Sequence, residues 1–552
     1  MRGRLLTRGR RALLAALASC GGLACASPAL SSRPGARSEP PTGSVARSSI
    51  PATRAERSGY LETSRYADVV AFLDSLRALG APYTFGSIGR TVEGRDIPYV
   101  IASRPLVRTP QEARLTGKPI VYVQGNIHAG EVEGKEALQA LLRDLAVATG
   151  PSVLDSIVLI AVPIYNADGN ERFGPQEGQR GAQNGPELVG QRPNAQGLDL
   201  NRDYVKAEAP ETRASLAMFE AWDPDVFVDL HTTDGSFHGY ALTYAPSLNP
   251  AAPLGDYTRE LLAELRRRMR DREGYETFDY GNFSDASGRE VSTDTVPRGW
   301  YTYDHRPRFG TNYYGLRNRV SILSEAYSHD PFERRVRSTY AFTAQVLSLV
   351  AERGPELSAK RRAPAPREVA IRSALPTSAP LQPVTFELLA RTGDSSRTQA
   401  GVPRGFRRTG EMRTRPMTVF DRFVPTLVRH LPIAYVLRDS ALVPRLRAHG
   451  IRPTPGRATD ARDKRYEQFV VDSVVRAPRP FQGHNEVRLV GRWVPSYLPV
   501  GDVFFVHPDE PFGRLAAYLL DPETDDGFVT WNTLDGVLAP GRPYPVLRVV
   551  AP

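Results

Sequence analysis

The chain has 552 residues, of which 41% are hydrophobic and 24% charged, so it has the composition of a globular protein and the length of two domains. Its net charge of +10 comes from 71 Lys and Arg residues set against 61 Asp and Glu residues, with the two signs interleaved. The sequence has no basic stripe with interleaved aromatic residues, which argues against a nucleic-acid partner.

The first 26 residues have the pattern of a bacterial signal peptide. Five arginines precede a short apolar run at residues 12–18, and removal of this leader would leave a net charge of about +5. The sequence LASC ending at Cys20 resembles a lipobox, whose Cys is acylated, whereas ACA at residues 24–26 is a second cleavage pattern. Both patterns predict export: to the periplasm, to the outer membrane as a lipoprotein, or out of the cell. Membrane contact is expected only through that N-terminal lipid anchor.

The chain that follows the signal peptide contains no cysteine, which limits the kinds of metal site it can form. Cys20 and Cys25 are the only cysteines, so a metal site in the rest of the chain must use His and carboxylate ligands. Residues 27–56, rich in Ser, Pro, Ala and Arg, predict a disordered tether. A helix is expected near residues 64–79, and strand-like pieces around Glu93-Gly94 predict a hairpin.

Residues 119–142 combine a buried strand with two candidate metal ligands. The β-branched, apolar run 120–123 predicts a strand, and His128 and Glu131 follow it where a helical pattern begins and continues to about Val147. A His and a Glu three residues apart can converge on one point. The carboxyl end of a strand is also where α/β sheets place their sites. We therefore expect His128 and Glu131 to bind a catalytic zinc ion.

The next strand suggests how the sheet is built. Residues 157–164 are apolar, and the alternation of strand, helix and strand predicts a mainly parallel sheet covered on both faces. The polar loop 170–196 then leads to Asn201-Arg202. This Arg is suited either to bidentate binding of a substrate carboxylate or to a surface ion pair with a neighbouring Asp.

Two later strands each end in a chemically active residue. The apolar run 225–230 delivers His231 to a loop, which repeats the geometry expected at His128. The strand 320–323 leads to Glu325, which is costly to bury without a purpose and is the candidate general base.

Taken together in this order, the residues resemble the zinc carboxypeptidases of peptidase family M14 over about residues 60–350. The GRTVEGR hairpin at 89–95, the NADG turn at 166–169 and the LDLNRD segment at 198–203 are similar to blocks of that family. The resemblance implies an α/β fold with a mixed, mainly parallel eight-stranded sheet between helices, and Zn²⁺ as the cofactor.

The same resemblance implies catalytic roles. His128, Glu131 and His231 would be the three zinc ligands, with the fourth position open for water. Asp199 would orient one of the ligand imidazoles. Glu325 would deprotonate the zinc-activated water and pass the proton to the leaving amine.

Substrate contacts follow from the resemblance as well. Arg202, with Asn201, would anchor the terminal carboxylate of the substrate. Arg192 is the first candidate for the Arg that stabilises the oxyanion on the scissile carbonyl, and Arg180 is the second. The family's mobile active-site tyrosine has three candidates, of which the first is assigned to substrate binding: Tyr314, Tyr313 and Tyr303.

The domain prediction is a catalytic domain at residues 57–353, a linker at 354–382 and a smaller β-rich accessory domain at 383–552. The predicted function is a zinc carboxypeptidase acting on peptide or protein C-termini. Two alternatives stay open: a zinc amidase acting on cell-wall peptides or N-acyl amino acids, and a catalytically silent binding protein of the same fold.

Overall fold

The computed structural model describes residues 50–283, 299–392, 402, 405–438, 440–457, 464–497, 501–508 and 512–550. The predicted signal peptide, its lipobox at Cys20 and most of the predicted tether lie outside these residues. The described end of the tether, from residue 50, contains a short helix. Among the described residues, no helix is long and apolar enough to cross a bilayer.

The first stretch of the described chain carries the helix and the hairpin expected from the sequence, followed by the strand and helix that flank His128. Its helices and strands are α1 (Arg54–Arg57), α2 (Tyr66–Ala78), β1 (Tyr83–Arg90), β2 (Asp96–Ala102), α3 (Pro110–Leu115), β3 (Ile120–Gly125), α4 (Glu133–Val147) and β4 (Val158–Val162).

The second stretch carries the remaining strands of the main sheet. Its helices and strands are α5 (Ala167–Glu171), β5 (Gly174–Pro175), α6 (Gln176–Gln179), β6 (Leu188–Val189), α7 (Pro210–Trp222), β7 (Val226–Thr232), β8 (Leu242–Pro246), α8 (Gly255–Glu273), β9 (Thr277–Asp279), β10 (Gly299–Tyr301), α9 (Gly310–Leu316) and β11 (Val320–Ala326). A single 3₁₀ turn at Leu200–Arg202 precedes α7.

The third stretch is rich in strands. Its helices and strands are α10 (Phe332–Arg362), β12 (Glu368–Ala374), β13 (Leu381–Arg391), β14 (Phe406–Phe420), β15 (Val424–His430), β16 (Ala434–Leu437), α11 (Leu442–Ala448), β17 (Thr454–Arg457), β18 (Arg465–Arg476), β19 (Val487–Ser496), β20 (Asp502–Val506), α12 (Gly513–Leu520) and β21 (Pro543–Val550).

The main sheet has eight strands in the order β1-β2-β4-β3-β7-β11-β8-β9. Strand β3 pairs in parallel with β4 and β7, β7 with β11, and β8 with β9, whereas the other pairs are antiparallel. The predicted mixed, mainly parallel sheet is therefore confirmed. The parallel strands β3, β7 and β11 are neighbours, so their carboxyl ends meet at one edge of the sheet.

Helices cover both faces of this sheet, and the side chains of β3 alternate between the two cores. Tyr122 packs with Phe219 of α7 on one face. Val121 and Val123 pack with Leu138 of α4 on the other. A strand that is buried on both sides reads as a continuous apolar run, which is how β3 was recognised.

The expected linker at residues 354–382 contains regular structure. Helix α10 continues to Arg362, and β12 pairs antiparallel with β15. The segment's Pro and Ser residues suggested a linker, but Leu357 packs into the core beneath α10, and Ile371 is buried in the other core. Such burial stabilises regular structure where composition alone does not.

The β-rich C-terminal region is present, as predicted. A six-stranded sheet has the order β17-β20-β16-β21-β18-β19. Strand β14 also pairs in parallel with β10, and the ring of Tyr301 stacks on Phe420 with the centroids 4.8 Å apart. The described residues from Ile50 onward form one compact unit by their contacts. The boundaries of the catalytic and accessory domains stay a prediction.

Close packing of α4 onto the sheet depends on Gly134. A Cβ atom at this position would lie 2.7 Å from the Cβ atom of Leu230, closer than real Cβ contacts allow. We expect Gly134→Ala to lower the free energy of unfolding by about 1–3 kcal/mol, the usual cost of overpacking, and to lower the thermal unfolding midpoint. Gly178→Ala is the control because nothing lies within 4 Å of its Cβ position. Equal midpoints for the two variants would contradict this packing.

Candidate active site

The loop between β3 and α4 and the end of β7 bring three buried side chains together. Ligand atoms of His128, Glu131 and His231 all lie within 4.8 Å of one another. The Nδ1 atom of His128 is 2.9 Å from Glu131 Oε1, and the Nδ1 atom of His231 is 2.9 Å from Glu131 Oε2. The three side chains thus point at one shared space.

A carboxylate faces the far nitrogen of each imidazole. The Nε2 atom of His128 is 3.0 Å from Asp199 Oδ1, and the Nε2 atom of His231 is 3.0 Å from Asp229 Oδ2. Gln124 donates to the other oxygen of Asp229 at 3.1 Å. Carboxylates in these places hold the Nε2–H tautomer of each ring and leave Nδ1 free as a ligand.

The electrostatics of this group favour a cation. Burial opposes a charged His231, yet the carboxylates of Asp229 and Glu131 raise its pKa well above the usual value. Burial would likewise raise the pKa of Glu131, but His128 and Arg180 lower it well below the usual range. A group of carboxylates that stabilises positive charge on a buried imidazole is also suited to binding a metal ion.

The donor set fits zinc. Two imidazole nitrogens and one carboxylate are a common catalytic set for Zn²⁺, and three protein ligands leave a fourth position for water or substrate. The three residues are 2–3% exposed. The residues present could therefore hold the metal that the sequence predicted.

Glu325 lies beside this group because of the strand register. Residue 325 of β11 is directly opposite His231 of β7 in the parallel pair, so both side chains leave the sheet on the same face. Its side chain is largely buried. Burial, together with the charges of Glu131 and Asp234, raises the pKa of Glu325 well above the usual value. A divalent cation between the three ligands would oppose that rise and favour the carboxylate.

A cleft of about 350 Å³ opens onto these residues. It is lined by the three candidate ligands and Glu325, and also by cationic and aromatic side chains. These lining residues include Asn201, Arg192, Arg202, Arg306, Tyr280, Tyr301, Tyr303 and Phe309.

The two candidates for the oxyanion Arg differ in their access to the cleft. Arg192 lines it, and its Nε atom donates to Asp199 Oδ2 at 2.9 Å while Nη1 lies 3.5 Å from Glu131 Oε1. Arg180 instead donates to the carbonyl oxygens of Thr232 and Thr233 and lies 3.0 Å from Glu131 Oε1. The geometry favours Arg192, the first candidate, because Arg180 is bonded to backbone carbonyls and does not line the cleft.

The Asn-Arg pair also reaches the cleft. The guanidinium of Arg202 lies 3.9 Å from the ring centroid of Phe309 and donates to Asn201 O at 2.8 Å. Among the described residues, its nearest carboxylate oxygen belongs to Asp199 at 3.9 Å. Burial lowers the pKa of Arg202 despite Asp199. This guanidinium can therefore accept a further anion.

The assignment of Tyr314 to substrate binding is wrong. Tyr314 is fully buried, its hydroxyl bonds Ser215 Oγ at 3.0 Å, and its ring stacks on Phe219 at 3.8 Å. Tyr313 is equally buried and bonds His449. Helix α9 faces the core, so nearness to Glu325 in sequence does not bring either ring to the cleft. Of the three candidates, Tyr303 is the one that lines it.

Sequence reasoning missed Asp229. A signal was present, because Asp229 interrupts the apolar run of β7 two residues before His231 and so lies on the same face of the strand. The missed cleft residues Tyr280 and Arg306 come from loops, and the sequence pattern carried no signal for them.

Comparisons with known proteins agree with this geometry. Residues 69–313 match the model of the zinc carboxypeptidase family, peptidase M14. Carboxypeptidase 2 of Trichophyton tonsurans is 25% identical over 500 residues, which cover 83% of this chain and 81% of that protein. Carboxypeptidase D of Mus musculus is 32% identical over 159 residues, which cover 26% of this chain and 10% of that protein.

Solved structures include similar chains. A metallo-carboxypeptidase from Pseudomonas aeruginosa, solved in complex with (2-guanidinoethylmercapto)succinic acid, is 20% identical with a TM-score of 0.37. The match covers 53% of this chain and 70% of that one. Through residues 69–313, which match the family model, the chain is similar to the zinc carboxypeptidases of peptidase family M14.

Proposed function

We propose that this protein is a zinc-dependent metallocarboxypeptidase that hydrolyses the C-terminal peptide bond of peptides or proteins. One observation carries the proposal: a single cleft joins the His128–Glu131–His231 group, the carboxylate of Glu325 and the guanidinium of Arg202. Hydrolysis needs the first two, and recognition of a chain end needs the third.

The chemical step divides between the metal and the chain. Zinc, when bound, would act as a Lewis acid that lowers the pKa of water and polarises the scissile carbonyl. Glu325 accepts the proton of the attacking water and donates it to the leaving amine. Arg192 offers guanidinium N–H groups to the oxygen on which negative charge develops. Asp199 and Asp229 keep the rings of His128 and His231 in the orientation that binds the metal.

Recognition of the substrate end rests on Arg202. A planar guanidinium binds a carboxylate with two parallel hydrogen bonds, and Phe309 supports one face of that plane. A terminal carboxylate bound there fixes how far the peptide enters the cleft. Only the last peptide bond would then reach the zinc site.

We expect Arg202→Gln to lower kcat/KM by about 10²-fold or more on a peptide with a free carboxyl terminus. The loss of a partly buried charged contact costs roughly 2–5 kcal/mol, and most of it should appear in KM. The measurement is steady-state kinetics on one peptide in its free and C-terminally amidated forms. The wild type should prefer the free form strongly, and the variant should lose that preference.

The same pair of peptides separates the alternatives. Equal cleavage of free and amidated peptides by the wild type would overturn the exopeptidase proposal and favour an amidase. An absence of chelator-sensitive hydrolysis on peptides, cell-wall fragments and N-acyl amino acids would favour a silent binding protein.

A further inference from the structure

The C-terminal region reaches into the candidate active site through one hairpin. Residues 477–486 connect β18 to β19, and the tip of this connection lies against the segment that carries Asp199 and Asn201. We refer to residues 477–486 as the support hairpin. It lies outside residues 69–313, which match the family model.

One side chain of the support hairpin contacts the site directly. The backbone N–H of Asp199 donates to Gln482 Oε1 at 2.9 Å. Asp199 in turn places one carboxylate oxygen 3.0 Å from His128 Nε2, and the same oxygen accepts from the backbone N–H of Asn201 at 3.0 Å. A continuous series of contacts therefore links Gln482 through Asp199 to a candidate zinc ligand.

The backbone at the tip is unusual for its sequence. Gln482 has φ of +52° and Gly483 has φ of +82°, so both central residues of the turn lie in the left-handed region. Such a turn favours Asn-Gly, and a Gln in this conformation is strained. Strained residues persist where their surroundings determine them, often near functional sites. The longer side chain of Gln is what reaches Asp199.

Further contacts hold the support hairpin in place. His484 Nε2 lies 2.9 Å from Glu208 Oε1, just beyond the Asn201-Arg202 turn. Arg308 donates to Glu486 Oε1 at 2.5 Å, and Arg306, which lines the cleft, lies 3.4 Å from the other oxygen of Glu486. The hairpin is thus anchored on both segments that flank the cleft.

We infer that Gln482 is a positioning residue that acts through Asp199 to hold His128 in its metal-binding orientation. The inference deepens the proposed function and rests on it. Without the Gln482 acceptor, the nearly buried N–H of Asp199 loses its partner, and the segment that carries Asp199 can shift. Partners that orient a metal-ligating imidazole typically contribute 10- to 100-fold to metal affinity or activity.

Gln482→Asn is the decisive variant. Asn suits the left-handed turn better than Gln, but its side chain is one methylene too short to reach Asp199. Gln482→Glu keeps both the length and the acceptor oxygen. Arg479→Ala changes an exposed residue of the same hairpin and is the control.

The primary readouts need no substrate. The zinc dissociation constant is measured by competition with a chromogenic chelator, and the visible absorption spectrum of the cobalt-substituted protein reports ligand geometry. We expect Gln482→Asn to raise the dissociation constant about 10-fold and to change the cobalt spectrum. Gln482→Glu and Arg479→Ala should stay close to the wild type. Because the turn is retained, the metal-free Gln482→Asn protein should stay folded, with a thermal midpoint lowered by no more than the loss of one hydrogen bond costs.

Wild-type zinc affinity and an unchanged cobalt spectrum in Gln482→Asn would overturn the inference. A wild type that binds zinc but hydrolyses no peptide would overturn the proposed function instead. The two failures are therefore distinguishable.

Discussion

Glu325→Gln is expected to lower kcat by about 10²–10⁴-fold, the range that a general acid–base group contributes. Glutamine keeps the shape of the side chain but cannot accept a proton from water. Glu325 is not among the three candidate ligands, so the variant should bind zinc as the wild type does. Steady-state kinetics and the zinc content of the same samples measure both expectations.

Glu333→Gln, on the exposed side of α10, is the matched control and should leave kcat unchanged. A Glu325→Gln protein that keeps most of its kcat with zinc bound would remove Glu325 from the chemical step.

His231→Ala is expected to abolish zinc retention and, with it, hydrolysis. The change removes one of three ligands and leaves Asp229 without the imidazole that it faces. A site with two ligands holds zinc far more weakly than one with three. After dialysis, zinc content should fall from about one ion per chain to near zero.

His430→Ala, at an exposed position in β15, removes a histidine that is not among the candidate ligands and should keep its zinc. Retention of one zinc by His231→Ala would mean that the metal is bound elsewhere in the chain.

The mainly parallel sheet was predictable because its central strands are continuous apolar runs, whereas its eight strands were expected from the family resemblance alone. His128 follows the end of β3 by three residues and His231 lies near the end of β7, and strand ends are where parallel sheets collect their functional groups. The same rule placed Glu325 at the end of a strand, and only the structure shows that this residue lies opposite His231. Strand register then turned three separate sequence signals into one site.

The misassigned residues show where that rule stops. Tyr314 is close to Glu325 in the chain, but the face of α9 on which it lies is set by packing against Phe219. Composition suggested a linker at 354–382 but gave no sign of the helix and strand that bury Leu357 and Ile371 there. Long-range contacts of this kind leave no local pattern.

Gln482 is a further residue whose role depends on a long-range contact that the sequence does not reveal. It lies 283 residues from Asp199 in the chain, and no periodicity or motif connects the two. Only the path of the support hairpin brings the acceptor to the Asp199 N–H. Asp229, in contrast, had a visible signal: a carboxylate inside an apolar strand, on the same face as a candidate ligand.

The most direct measurement is a zinc titration of the metal-free protein during digestion of a peptide with a free carboxyl terminus, with products identified by mass spectrometry. We predict no cleavage without metal, recovery that saturates at about one zinc per chain, and products shortened stepwise from the carboxyl end. Cleavage that does not depend on zinc, or products cut internally or from the amino end, would contradict the proposal of a zinc carboxypeptidase.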